Sequence, residues 1–184
     1  MKIACLGWGS LIWRPGNLLI QRKWFNDGPL LPVEFVRKSD NGRLTLVITE
    51  TAKPVRTLWA LMTTDNIEIA KTSLRIREGI SKEKLNSRIG SLTVEDEITE
   101  GINLIIKNWA ISLKLDAVIW TTLPSKFNNL EGQVPTIDEA ISYLRSVDIN
   151  TWETAQEYVR RTPKQIDTEF RRRFEGEFGW TCIE

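Results

Sequence analysis

The sequence contains no histidine. That absence removes Ser-His-Asp and Cys-His nucleophilic catalysis, histidine-ligated zinc and the HExxH helix in one step. An enzyme built from this chain must move protons with a carboxylate, a lysine, a cysteine or a tyrosine. A carboxylate is the first choice, because burial alone raises a carboxyl group toward neutrality. Cysteine is scarce too, with only Cys5 and Cys182, near opposite ends. Two thiols make no metal site, and Cys5, in an apolar stretch, reads as buried and inert. No apolar run approaches the ~18–20 residues of a spanning helix. The N-terminus has one lysine and a short apolar stretch cut at once by glycines, a poor signal peptide. A net charge of +1 gives no global attraction to nucleic acid or to a membrane surface. Internal repeats, low-complexity tracts and interdomain linkers are also missing. The expectation is a cytoplasmic, single-domain protein that uses no metal and no cofactor, with its thiols reduced.

What is present is ordinary in bulk and specific in places. The 184 residues are 41% apolar and 27% charged, enough to bury roughly 70% of the unfolded surface. "KIACLGW" reads as a buried first strand ending at Gly7. "LLPVEFVRKSDNGRLTLVITE" reads as a hairpin, its two β-rich runs flanking Asp40-Asn41-Gly42. "VRTLWALMTT" is a further strand. From Thr64 the period becomes helical, predicting a helix capped at Thr64 or Asp65 and stopped at Gly79. "LTVEDEITEGINLIIKNWAISLKL" predicts a long helix with a capping box from Thr93 to Asp96, and "DAVIWTTL" a late apolar strand. Three helices close the chain, starting at Thr136, at Thr151 and with Pro163 in the first turn. "PSKFNNLEGQVP" (124–135) is the longest turn-rich segment. Early strands with helices inserted and appended predict an α+β fold: a small, mainly antiparallel β-barrel or sheet over 1–123, with a helical C-terminal extension over 136–184.

Three constellations bear on chemistry. In the loop "CLGWGSLIWRPG", amides around Gly7 and Gly9 can form an anion-binding concavity, with Trp8 between them and Ser10 adding a hydroxyl. A tight structural turn explains a lone Gly-x-Gly equally well, and the full GxGxxG of a dinucleotide site is absent. In "LRIREG", Glu78 falls at the end of a predicted helix, where a carboxylate meets the negative end of the dipole. It reads either as a solvated charge at a fraying end or as a proton shuttle. The tail carries Arg160, Arg161, Lys164, Arg171, Arg172 and Arg173 among Tyr158, Phe170 and Phe174, a pattern that suits phosphate contacts. Glu157, Asp167, Glu169, Glu175 and Glu177 dilute it, so pairing on a solvated helical face accounts for most of it and nucleic acid is not the expected partner.

From Gly7 to Pro15, "GWGSLIWRP" resembles the Gly-Tyr-Gly-Ser-Leu-(Ile/Met)-Trp-(Arg/Lys)-Pro string of the γ-glutamyl cyclotransferase-like superfamily, especially its ChaC-type branch. Trp8 stands where that family has tyrosine, and brings no hydroxyl. The family's second hallmark, a glutamate about seventy residues on in an Arg-Glu context, is matched by Glu78. The resemblance covers about residues 2–80 and implies an enzyme that closes the γ-glutamyl group of a small amine or peptide onto itself, releasing 5-oxoproline. Glu78 would be the general acid/base, and Gly7, Trp8, Gly9, Ser10 and Leu11 would bind the substrate. Neither metal nor cofactor is implied. The competing expectation is a non-catalytic binding domain of the same fold, contacting its partner through the arginine-rich C-terminal helices.

Overall fold

Ile3, Ala4, Cys5 and Leu6 are consecutive and fully buried, as in a strand covered on both faces. In the computed structural model, which describes residues 1–183, they form β1 (Ile3–Gly7). The chain divides into two compact units. The first comprises Met1–Gly7, Arg14–Leu31 and Arg56–Leu123. Its sheet places β1 between β6 (Leu58–Leu61), antiparallel, and β8 (Ala117–Thr121), parallel, with β7 (Ile89–Thr93) antiparallel on the far side of β8. Helix α1 (Ile67–Arg77) packs on β7 and β8 through a buried face that includes Ala70 and Leu74. The short α2 (Leu85–Arg88) leads into β7, and α3 (Gly101–Ser112) packs on the same strands, burying Ile106 and Ala110. Two-residue strands β2 (Leu30–Leu31) and β5 (Val55–Arg56) pair with each other.

The second unit comprises Trp8–Trp13, Pro32–Val55 and the chain from Pro124 onward. Its sheet runs β10-β9-β3-β4, where β3 (Val33–Lys38) and β4 (Leu44–Ile48) form the hairpin expected around Asn41-Gly42. Gly42 has φ +83°, the left-handed conformation this turn requires. Strands β9 (Lys126–Phe127) and β10 (Leu130–Glu131) fold the turn-rich 124–135 segment into a second hairpin, through Asn128 and Asn129 at positive φ. Helices α4 (Ile137–Ser146), α5 (Ile149–Arg161) and α6 (Glu169–Phe178) complete the unit. Thr136 caps α4 as its sequence predicts, and the structure adds a reciprocal capping box with Glu139.

The α+β class is therefore observed, but the strands close no barrel among the described residues. In the two four-stranded sheets the outer strands, β6 and β7 or β10 and β4, have only one strand neighbour, β6 meeting the chain beyond it through an isolated bridge between Trp59 and Phe25, and closure requires every edge to be paired. The long helix expected over 92–115 starts only at Gly101. Its first residues, 92 and 93, end strand β7 instead, which pairs with β8 along its whole length, and the Trp120 ring lies on Gly90, where an added Cβ would stand 2.4 Å from the indole. Thr93 and Asp96 do exchange hydrogen bonds, but these tie a turn after the strand. The caps also shift. Asn66 accepts from the Glu68 and Ile69 amides at α1, Asp148 starts α5, and Thr168 starts α6, five residues beyond Pro163. No helix among the described residues is long and apolar enough to cross a membrane.

Candidate functional site

Helix α1 ends as its sequence predicts: the Glu78 amide donates to Leu74 and Gly79 turns left-handed at φ +65°. Arg75 and Arg77 in the last turn suit the negative end of the dipole. Arg75 donates to the Ile80 carbonyl and so fixes the chain beyond the helix. Arg77 forks. Its Nη1 donates to Glu78 Oε1 at 2.5 Å, while Nε and Nη2 donate to the Arg14 carbonyl at 3.2 and 2.7 Å. Both members of the ion pair are largely withdrawn from water, at 12% and 17% side-chain exposure.

The pair also lies close to β1. Burial pushes the Cys5 thiol well above the ordinary range, the Glu78 charge raises it further, and Arg77 opposes. Within the first unit, then, Glu78 stands within electrostatic reach of a residue two positions before Gly7. Its partner Arg77 grips Arg14, where the chain re-enters this unit after the glycine loop.

The loop itself, Trp8–Trp13, belongs to the second unit. Ile12 N–H closes a turn onto the Gly9 carbonyl at 3.0 Å. Trp8 and Leu11 are buried, and the Trp8 indole donates to the Leu46 carbonyl of β4 at 3.2 Å. Ser10 is half-buried. Gly9 faces the hydroxyl of Tyr158, on α5, which also accepts from the Leu46 amide at 3.4 Å. The Tyr158 ring meets Trp13 and Phe35 edge-on. Of the expected site residues, the structure thus gathers Trp8, Gly9, Ser10 and Leu11 in one unit, and Gly7 and Glu78 in the other.

Tyr158 was legible only as one of the aromatics scattered through the basic tail. Its buried neighbours Ala155 and Val159, three residues before and one after, mark the inward stripe of α5. A second polar residue that sequence pattern alone does not mark is Glu34, buried in β3. It accepts from the Thr168 hydroxyl at 2.5 Å, its neighbour Phe35 N–H at 2.9 Å and Phe170 N–H at 3.3 Å. Burial raises its carboxyl above the ordinary range, against those hydrogen bonds. Its only signal is a charge between Val33 and Phe35 in an apolar strand.

The basic tail is engaged internally. Arg161 pairs with Glu157, Arg172 with Asp167, and Arg173 with Asp138 and Glu177. Arg160 donates to the Thr181 carbonyl. Arg171 is fully buried, bonded to Glu175 and to the Pro163 and Ile166 carbonyls. Among the described residues, no three cysteine, aspartate or glutamate side chains come together as a metal site. No model of a known protein family matches the chain, and no curated protein matches it.

Proposed function

We propose that the chain is a γ-glutamyl cyclotransferase-like enzyme, releasing 5-oxoproline from a small γ-glutamyl amine or peptide with Glu78 as general acid/base. The observation that carries this reading is the Glu78–Arg77 pair: a mostly buried carboxylate, oriented by a guanidinium that also holds Arg14 at the end of the glycine loop. The reaction asks little more of a protein. The substrate α-ammonium gives a proton to the Glu78 carboxylate, and the freed amine attacks its own γ-carbonyl carbon. As the ring C–N bond forms, the γ-amide C–N bond breaks and Glu78 returns the proton to the departing nitrogen, while the second proton shed by the ring nitrogen also ends on the departing amine, which leaves as its ammonium. Attack is intramolecular, so holding the substrate in a folded geometry supplies much of the rate. The resemblance assigns the substrate oxygens to the backbone of Gly7–Leu11 and the Ser10 hydroxyl.

The test is a screen of γ-glutamyl amines, amino acids and peptides, glutathione included, with 5-oxoproline read by mass spectrometry. The wild type releases it from at least one compound. Glu78→Gln reduces release by about 100-fold or more while keeping the wild-type circular dichroism. Absence of release from every compound, or full activity in Glu78→Gln, ends the proposal.

A further inference from the structure

Among the described residues of the second unit, every arginine but one has an acceptor in the protein. Arg37 donates to the Pro124 carbonyl, Arg145 pairs with Glu177, and the tail arginines are engaged as described above. The exception is Arg43. Its Nε is buried, and among the described residues no hydrogen bond or ion pair reaches its guanidinium. Desolvating a cation without an acceptor is costly, and this position is not a loose one. Arg43 follows the hairpin turn directly, its carbonyl accepting from Ser39 N–H at 3.0 Å. Tyr143 donates to the carbonyl of Gly42 beside it. Its guanidinium lies 4.9 Å from the centre of the Tyr158 ring, the ring whose hydroxyl abuts Gly9.

From this arrangement we propose that Arg43, lying over the Tyr158 ring at the Trp8–Trp13 turn, is the anchor of a binding site for a small carboxylate. The guanidinium fork matches two coplanar oxygens. Its position over the tyrosine face restrains the guanidinium. One guanidinium meets one charge, which suits a carboxylate rather than a phosphate. The nearby Lys38 is turned away to the Tyr143 ring, 5.0 Å from its centre. Trp13, edge-on to Tyr158, adds an aromatic wall that suits the short carbon skeleton of an amino acid or its lactam. The site stands apart from the proton chemistry proposed for Glu78 and does not require it.

The full chain is titrated with L-glutamate, glutathione and 5-oxoproline, and with the uncharged primary amide of 5-oxoproline, by calorimetry and by NMR. At least one carboxylate binds, Arg43→Gln weakens it by about 10- to 100-fold, and the amide binds at the variant's level. In the wild type, the bound carboxylate also protects Arg43 from phenylglyoxal, read by peptide mass spectrometry, while the amide does not. That second measurement decides the matter if Arg43→Gln does not fold. The site is overturned if no carboxylate of the panel binds, if Arg43→Gln binds as tightly as the wild type, or if bound carboxylate leaves Arg43 unprotected. Arg43-dependent binding without 5-oxoproline release would keep this site and remove the cyclotransferase.

Discussion

The hydroxyl of Tyr158 occupies the space that a side chain on residue 9 would need: a Cβ added to Gly9 would stand 2.2 Å from it and 3.2 Å from the ring carbon that bears it. Gly9 is required for that approach, since its φ is not left-handed. Gly9→Ala should therefore destabilise the chain by about 1–3 kcal/mol, the usual cost of overpacking a fixed site. Urea denaturation measures it. Tyr158→Phe in the Gly9→Ala background should recover part of the loss, so the two changes are non-additive. Additive losses would mean that the two residues do not compete for space.

The Arg77–Glu78 pair should be asymmetric. Arg77→Met leaves a mostly buried carboxylate with its strongest partner gone and releases Arg14, a loss of about 1–3 kcal/mol given the remaining exposure. Glu78→Gln keeps an amide oxygen to accept from Arg77 and should cost less. Chemical denaturation of both variants checks the order, and the reverse order would mean that the acid, not the arginine, organises the pair.

Glu34 gives stability a signed pH dependence. Its folded carboxyl is raised above the unfolded value near 4.5, so the folded state holds the proton more tightly than the unfolded one. The stability that this adds is complete below the unfolded value and is lost as pH rises through the folded one. Glu34→Gln removes the titration and turns an amide N–H₂ toward donors that the carboxylate now satisfies, costing about 1–3 kcal/mol. The gap between wild type and variant should widen on going from pH 7 down to 4.5. A gap that narrows over that range would reverse the assignment.

The two thiols should be chemically distinct. Cys5 is fully buried, and burial together with the Glu78 charge holds its proton, whereas Cys182 is half-buried near the end of the chain. Since the thiolate is the reactive form, a disulfide reagent at pH 8 should modify one thiol in the native protein. The second should appear only on unfolding, and peptide mapping should place the fast one at Cys182.

The sequence showed those parts of the fold that local chemistry decides. Asn41-Gly42 demanded its hairpin, Thr136 its cap, Gly79 the end of α1. It misled where distant residues decide. Thr93-x-x-Asp96 carries a capping signal, but the Trp120 ring on Gly90 commits the preceding segment to a sheet edge. The candidate site divides the same way. The place of Glu78 at a helix end is a local feature, and the sequence carries it. Tyr158, Arg43 and Glu34 owe their environments to partners far along the chain, and a periodicity scan sees in them only an aromatic, a hairpin charge and a misplaced acid.

The bond from the Leu46 amide to Tyr158 spans 112 residues, and the second unit draws on three separated stretches of chain. The glycine loop is thus made well before the helix that covers it, since α5 must be made before Gly9 meets its cover. Loop closures of that length are slow to form. Until α5 arrives, a nascent chain carries an uncovered Gly-Trp-Gly-Ser turn, with Trp13 and Phe35 lacking their aromatic neighbour. A protein released before Arg161 would have the most distinctive stretch of its sequence intact and unsupported.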